Sequence, residues 1–174
     1  PQEFLDMYDA SNIDIGESFT TIHPFDNGEL TVRDELLSAI PRKESDVRQH
    51  IAEYYAMISH VDAQMGKVID SLRKAGKLDD TIIVFAGDNG LALGRHGLIG
   101  KQNLYDHSLH VPLIMSGPDI PKGNSTQSSV YTADIYPTLC DLIGINIPDT
   151  VLGSSFYSVF SQITSPHRDY LYFV

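Results

Sequence analysis

Thr81-Ile82-Ile83-Val84-Phe85-Ala86-Gly87-Asp88-Asn89-Gly90 is the stretch on which the fold of this chain turns. Its first six residues form a continuous apolar run rich in β-branched side chains. A run of that kind suits a strand buried on both faces, as in a parallel sheet. It breaks abruptly into a polar turn with glycine on either side of Asp88 and Asn89. In open α/β sheets, ligands bind beyond the carboxyl ends of the strands, and these two residues stand at that place.

The neighbouring segments complete the pattern. Upstream, Val47, Ile51, Tyr54, Ile58, Val61, Met65, Val68, Leu72 and Ala75 recur at spacings of three and four. That rhythm draws one apolar stripe along a helix and predicts core packing for it, with Ser45 as N-cap and Gly76 just past the end. Downstream, Val111 to Met115 reads as a second buried strand, ended by Ser116-Gly117-Pro118. Ile135 to Ile143 reads as a shorter helix, capped by Asp134, with Pro137 in its first turn and Gly144 stopping it. Tyr170 to Val174 reads as one more strand. Residues 1–44 carry too many turn formers for long elements. A loop of that length is unusual in a compact domain and implies a segment wrapped around something outside the chain. The succession predicts a layered α/β fold with three parts: a loop-rich wrap at 1–44, a helix-strand-loop-strand-helix core at 45–145, and the start of a further subdomain at 146–174.

With 174 residues, the chain is long enough to bury a sizeable core. Its 42% apolar residues exclude disorder as a description of the whole. The formal charge of −11 argues against nucleic acid as a partner, since phosphate binding needs clustered Lys and Arg. No apolar run approaches the ~20 residues of a membrane span. The lone cysteine, Cys140, excludes an internal disulfide and falls on the apolar side of the shorter helix, which marks it as a core residue.

Asp88 and Asn89 place a carboxylate and an amide oxygen side by side, and hard cations such as Ca²⁺ take oxygen ligands of this kind. Taken alone, Asp-Asn-Gly is also an ordinary turn, and two ligands cannot fill a calcium shell. Gly94-Arg95-His96-Gly97 and Gly100-Lys101 follow in a glycine-rich loop. Lysine near a cation can neutralise the oxygens of a sulfate or phosphate group. Singly, Lys101 reads as a solvated residue and His96 as a loop histidine. His23, His50, His60, His107 and His167 have no ligand spacing and read as structural or surface residues.

The whole run from Thr81 to Pro118 changes that balance. With Leu93-Gly94-Arg95-His96-Gly97, Lys101, Leu104-Tyr105 and Val111-Pro112-Leu113-Ile114, it closely resembles the later metal-binding segment of sulfatases in the alkaline-phosphatase-like superfamily. Tyr54-Tyr55-Ala56, Val61-Asp62 and Gly66 resemble the preceding helix of that family, and Asp134 to Leu139 with Gly144 the following one. Gly87 stands where serine or threonine is more usual, and His110 where arginine is expected before the Val-Pro pair. The resemblance implies part of an alkaline-phosphatase-like sandwich, with a mostly parallel central sheet flanked by helices and cut short at both ends. It implies that Asp88 and Asn89 are calcium ligands, that Lys101 contacts the sulfate group, and that His96 belongs to the substrate site or its scaffold.

The family's nucleophile is a formylglycine made from Cys or Ser in a Cys/Ser-x-Pro-x-Arg sequence, which these 174 residues do not contain. Cys140 is followed by Asp141-Leu142-Ile143, and Ser116-Gly117-Pro118 continues with Asp119-Ile120. The early paired aspartates of the family have no counterpart either, since Asp79-Asp80 reads as a helix-to-strand turn. The expectation is therefore a fragment of a calcium- and formylglycine-dependent sulfatase, inactive alone, whose parent hydrolyses a sulfate ester such as a sulfated sugar or aryl sulfate. A phosphonate or phosphate ester hydrolase of the same superfamily, or a sulfatase-like module without catalysis, are the other readings. By resemblance the location is exported: periplasmic, secreted or lysosomal.

Overall fold

The computed structural model describes residues 1–162 and 166–173. The chain divides into two compact units, Pro1–Lys77 with Asn89–Val111, and Leu78–Asp88 with Pro112–Val174.

The first unit is organised by α2 (Glu44–Lys74), a helix of 31 residues, preceded by the single turn α1 (Gln2–Leu5). It starts one residue before Ser45, and Lys43 occupies the N-cap position without a side-chain bond. Glu44 and Asp46 lie in its first turn and Arg73 and Lys74 in its last, which suits the helix dipole at both ends. Gly76 ends it in the left-handed region (φ +65°), with Lys77 N–H on the Leu72 carbonyl and Gly76 N–H on that of Arg73. This is a Schellman closure, and it needs a residue that tolerates positive φ.

The apolar stripe of α2 is core over its first half only. Val47, Ile51, Ala52 and Ala56 are buried, and Ile13 and Ile99 join Val47, Ile51 and Ala52 in one cluster, flanked by Tyr8, Ile15, Phe19 and Leu93. Full burial of each large aliphatic side chain there contributes about 1.5–3 kcal/mol. Further along, Ile58 and Val61 are each 50% exposed and Val68 is 63% exposed. The periodicity locates the stripe correctly, but burying it takes a second element, and the segments that bury it lie along the first half of the helix. Those segments are residues 8–19 and 93–99. The leading 44 residues thus pack on parts of their own unit: Arg48 donates to the Ile13 carbonyl, and Tyr8 Oη lies 2.7 Å from Ser59 Oγ. A four-residue helix, α3 (Asp106–Leu109), closes the later part of the unit.

The second unit contains β1 (Ile83–Ala86) and β2 (Leu113–Ser116), which pair antiparallel with Ile83 opposite Ser116 and Ala86 opposite Leu113. Where a mostly parallel central sheet is expected, the described residues hold this one two-stranded sheet. An apolar run signals a strand but does not encode the direction of its partner. Nor are both faces covered, since Ile114 is 61% exposed. Residues 170–173 form no strand, and Val174 lies outside the described residues. A strand requires a neighbour's ladder, and this segment meets Tyr131 instead, through the Tyr172 backbone on Tyr131 Oη and the Phe173 ring edge-on to the Tyr131 ring.

Helix α4 (Ile135–Ile143) has the bounds its sequence predicts, with Gly144 at φ +70° behind it and Cys140 only 2% exposed. Asp134 occupies the expected N-cap position, but its side chain makes no cap bond to the helix and is used elsewhere. Its carboxylate accepts from Tyr131 N (2.9 Å) and Ser154 N (2.7 Å) and pairs with Arg168 through two bonds at 2.6 and 3.0 Å. Burial alone raises the carboxyl's pKa, but Arg168 and the two amides outweigh it and hold the group below the ordinary carboxylate range. Thr138 extends the same knot by donating to the Asp134 carbonyl and accepting from Phe156 N. Replacing Asp134 with Ala strands two part-buried amides and leaves Arg168 without its carboxylate, and should destabilise the protein by about 3 kcal/mol in urea unfolding at pH 7. Because the folded pKa is depressed, the stabilisation that Asp134 supplies is present above the usual carboxylate pKa and should fade as the pH falls through the folded value.

Candidate functional site

The loop that follows β1 is built around glycines that nothing larger can replace. A Cβ on Gly90 would sit 1.8 Å from the His107 carbonyl oxygen, because Gly90 N–H bonds across to Ser108 O at 2.9 Å. Residues 92–100 then fold back on themselves, with Ala92 N on Gly100 O and Gly94 N on Leu98 O. Four residues of this turn, Leu93, Gly94, His96 and Gly97, have positive φ. For Leu93 and His96 that costs roughly 1–2 kcal/mol each, so the surroundings must hold them. A Cβ on Gly94 would meet Val47 Cγ1 at 2.5 Å, and one on Gly97 would meet His23 N at 2.4 Å. The loop therefore lies directly on the start of α2 and on residues 22–23.

His96 is fixed through its backbone. Its N–H donates to Ser18 O and its carbonyl accepts from His23 Nδ1, both at 2.7 Å. His23 is 6% exposed, and its Nε2 has no hydrogen-bond partner among the described residues. The His96 ring stacks on Tyr105 at 4.2 Å, and His107 lies against both rings at 5.5–5.8 Å. These three rings, with Ser18, Arg95 and Asp106, line an open cleft of ≈ 370 Å³. His107 is more than a surface residue: its Nε2 is buried without a hydrogen-bond partner among the described residues. Burial first, and then His96 and Arg95, pull its pKa from the ordinary 6.5 to about 4.

Asn89, His96 and Lys101 belong to the first unit and Asp88 to the second, the boundary falling between Asp88 and Asn89. Asp88, Asn89 and Lys101 are all exposed. Among the described residues no three His, Cys, Asp or Glu side chains gather into a group able to hold a metal. The donors at 88 and 89 are a carboxylate and an amide oxygen, the donor type a hard cation takes, and would fill at most two of its six to eight positions. The Lys101 N–H donates to Gln102 Oε1 at 3.2 Å, and Gly100 N–H donates to Glu35 Oε1 at 2.7 Å. Glu35 and its partner Arg42 are buried functional-loop contacts that no sequence motif singled out, since they lie some 60 residues from the loop they hold.

The Sulfatase family profile matches residues 2–145. Arylsulfatase K of Homo sapiens is 32% identical over 155 residues, which are 89% of this chain and 28% of that protein. N-acetylglucosamine-6-O-sulfatase of Bacteroides thetaiotaomicron is 35% identical over 116 residues, 66% of this chain and 21% of that protein. Among solved structures, the phosphonate monoester hydrolase of Agrobacterium radiobacter superposes with a TM-score of 0.80 at 27% identity, covering 96% of this chain and 36% of that one. The chain belongs to the sulfatase family. It spans less than a third of the length of these curated relatives.

The histidine in the cleft generates a test. Above the ordinary histidine pKa, His107 is neutral in both folded and unfolded chains and adds no pH dependence. Below it, the unfolded chain takes up a proton that the folded chain refuses until about pH 4, so stability falls as the pH drops across that window. His107→Phe keeps a ring in the stack and removes the proton. Urea midpoints measured between pH 7 and pH 4 should then lose a slope of about one proton relative to the parent.

Proposed function

We propose that the whole protein carrying this chain is a sulfuric ester hydrolase, and that this segment supplies one side of its metal and sulfate site. The reading rests on one observation above others: the family match runs through a loop in which oxygen donors at 88 and 89 and a cation at 101 all face solvent. In this reading Asp88 and Asn89 contribute two oxygens to a Ca²⁺ ion. When bound, that ion neutralises sulfate oxygens and favours attack at sulfur. A formylglycine outside these residues serves as nucleophile. Lys101 places its ammonium against sulfate oxygens that gain charge as the ester bond breaks, and His96, stacked on Tyr105, orients the ester group.

The substrate class is a sulfated sugar or aryl sulfate, in line with the names of the relatives. The central, mostly parallel sheet is completed by segments of the parent beyond these residues. The location is exported. A second reading, hydrolysis of phosphonate monoesters, is supported by the superposition on the Agrobacterium enzyme. A phosphonate monoester, like a sulfate ester, would present tetrahedral oxygens to a cation held by Asp88 and Asn89 and to the Lys101 ammonium. A sulfatase-like module without catalysis remains the third.

Rates for a sulfate ester and a phosphonate monoester, measured on the full-length protein with calcium and with chelator, separate the three. Faster calcium-dependent sulfate ester cleavage is expected, and absence of turnover on either ester would leave the non-catalytic module. Lys101→Ala should lower kcat/KM by about 100-fold. Asp88→Ala should raise the calcium concentration needed for half-maximal activity. The chain of residues 1–174 alone should hydrolyse neither ester.

A further inference from the structure

Glu35 and Arg42 are 4% and 1% exposed, and no step of the proposed reaction uses either charge. They face each other in a buried ion pair between Arg42 Nη2 and Glu35 Oε2. Beyond that mutual contact, the hydrogen bonds of the pair go to backbone groups. Glu35 Oε1 accepts from Gly100 N at 2.7 Å, and Oε2 accepts from Ile99 N at 2.9 Å. Arg42 Nε donates to the Gly97 carbonyl at 3.0 Å, while Nη1 donates to the carbonyls of Glu35 and Ser38. The pair thus grips three of the four residues that separate His96 from Lys101. Next to it, Asp34 extends the grip: Gln102 Nε2 donates to Asp34 Oδ2 at 3.3 Å, and Gln102 Oε1 receives the Lys101 N–H.

A buried ion pair contributes little net stability compared with apolar residues of the same volume, because both charges must be stripped of water. What it supplies here is geometry. The carboxylate offers two acceptors in one plane to two successive amides, and the guanidinium fixes the carboxylate from the other side. We infer that the Glu35–Arg42 pair is a positioning device for Lys101, setting where the 97–101 backbone, and with it the lysine ammonium, meets the substrate oxyanion. The inference rests on the reading of Lys101 as a sulfate contact.

The test uses the full-length protein and two variants. Glu35→Gln keeps the shape but offers one oxygen where two amides need acceptors. Gly100→Ala leaves both charges in place, yet its Cβ would lie 2.9 Å from Gln102 Oε1 and 3.0 Å from Glu35 Oε1 and Asp34 Cβ, so the loop and the side chains that hold it must move apart by a few tenths of an ångström. The second variant carries the test if the first does not fold. Each is measured alone and in a Lys101→Ala background, with Tm recorded alongside. Acting through Lys101, each change should lower kcat/KM by about 10–100-fold in the parent and by far less once Lys101 is absent. Equal fold-losses in both backgrounds, or none in the parent, would overturn the inference.

A second readout separates this inference from the function it rests on. Acetylation of Lys101 is followed by mass spectrometry with and without inorganic sulfate and calcium. Suppose the parent turns over no sulfate ester, yet sulfate shields Lys101 in it and not in Gly100→Ala. The hydrolase reading then falls and the positioning role stands. Equal shielding in both proteins, or none in the parent, removes the positioning role as well.

Discussion

A carboxylate sealed from water holds the candidate site in shape. Glu35 is satisfied by Arg42 and by the amides of Ile99 and Gly100, so its burial is compensated at each oxygen. With Arg42, which donates to the Gly97 carbonyl, it gives the loop between His96 and Lys101 three anchors. Leu93 and His96 hold positive φ values that are unfavourable in isolation, and the His96–Tyr105–His107 stack needs His96 in that backbone state.

The platform beneath the loop is the first half of α2. Val47 is fully buried where Gly94 passes over it, so helix and loop approach to a distance that excludes any side chain at 94. Ile13 and Ile99 close the sides of the same cluster. The second half of the helix has the same periodicity and no such cover. One helix therefore carries two environments, and the difference comes from its neighbours and not from its own pattern.

The second unit solves an equivalent problem with the same chemistry. Asp134 is fully buried and joins the start of α4 to Ser154 and Arg168, which are 20 and 34 residues away. Arg168 in turn lies over the Tyr131 ring at 4.9 Å. Each unit thus has one buried carboxylate that accepts from two backbone amides and an arginine. Neither role is recorded by local spacing: Asp134 stands at the predicted N-cap yet spends its carboxylate on Tyr131, Ser154 and Arg168, and Glu35 belongs to no motif.

The residues alone determined the elements whose causes are local. Helix α2 followed from its apolar spacing and from Gly76, α4 from its pattern and Gly144, and β1 from its β-branched run, because each depends on neighbours within a few positions. The membership of the chain in the sulfatase family was legible in the same way, from Asp88-Asn89-Gly90, Gly94-Arg95-His96-Gly97 and Lys101 in close order. Tertiary structure alone decided the antiparallel direction of β1 and β2, the exposure of half the α2 stripe, the burial of His107 and the roles of Glu35, Arg42 and Asp134. These depend on groups brought together across as many as 65 residues, as between Glu35 and Gly100. The position of such a pair is set by how the intervening chain packs, and no short-range spacing records it.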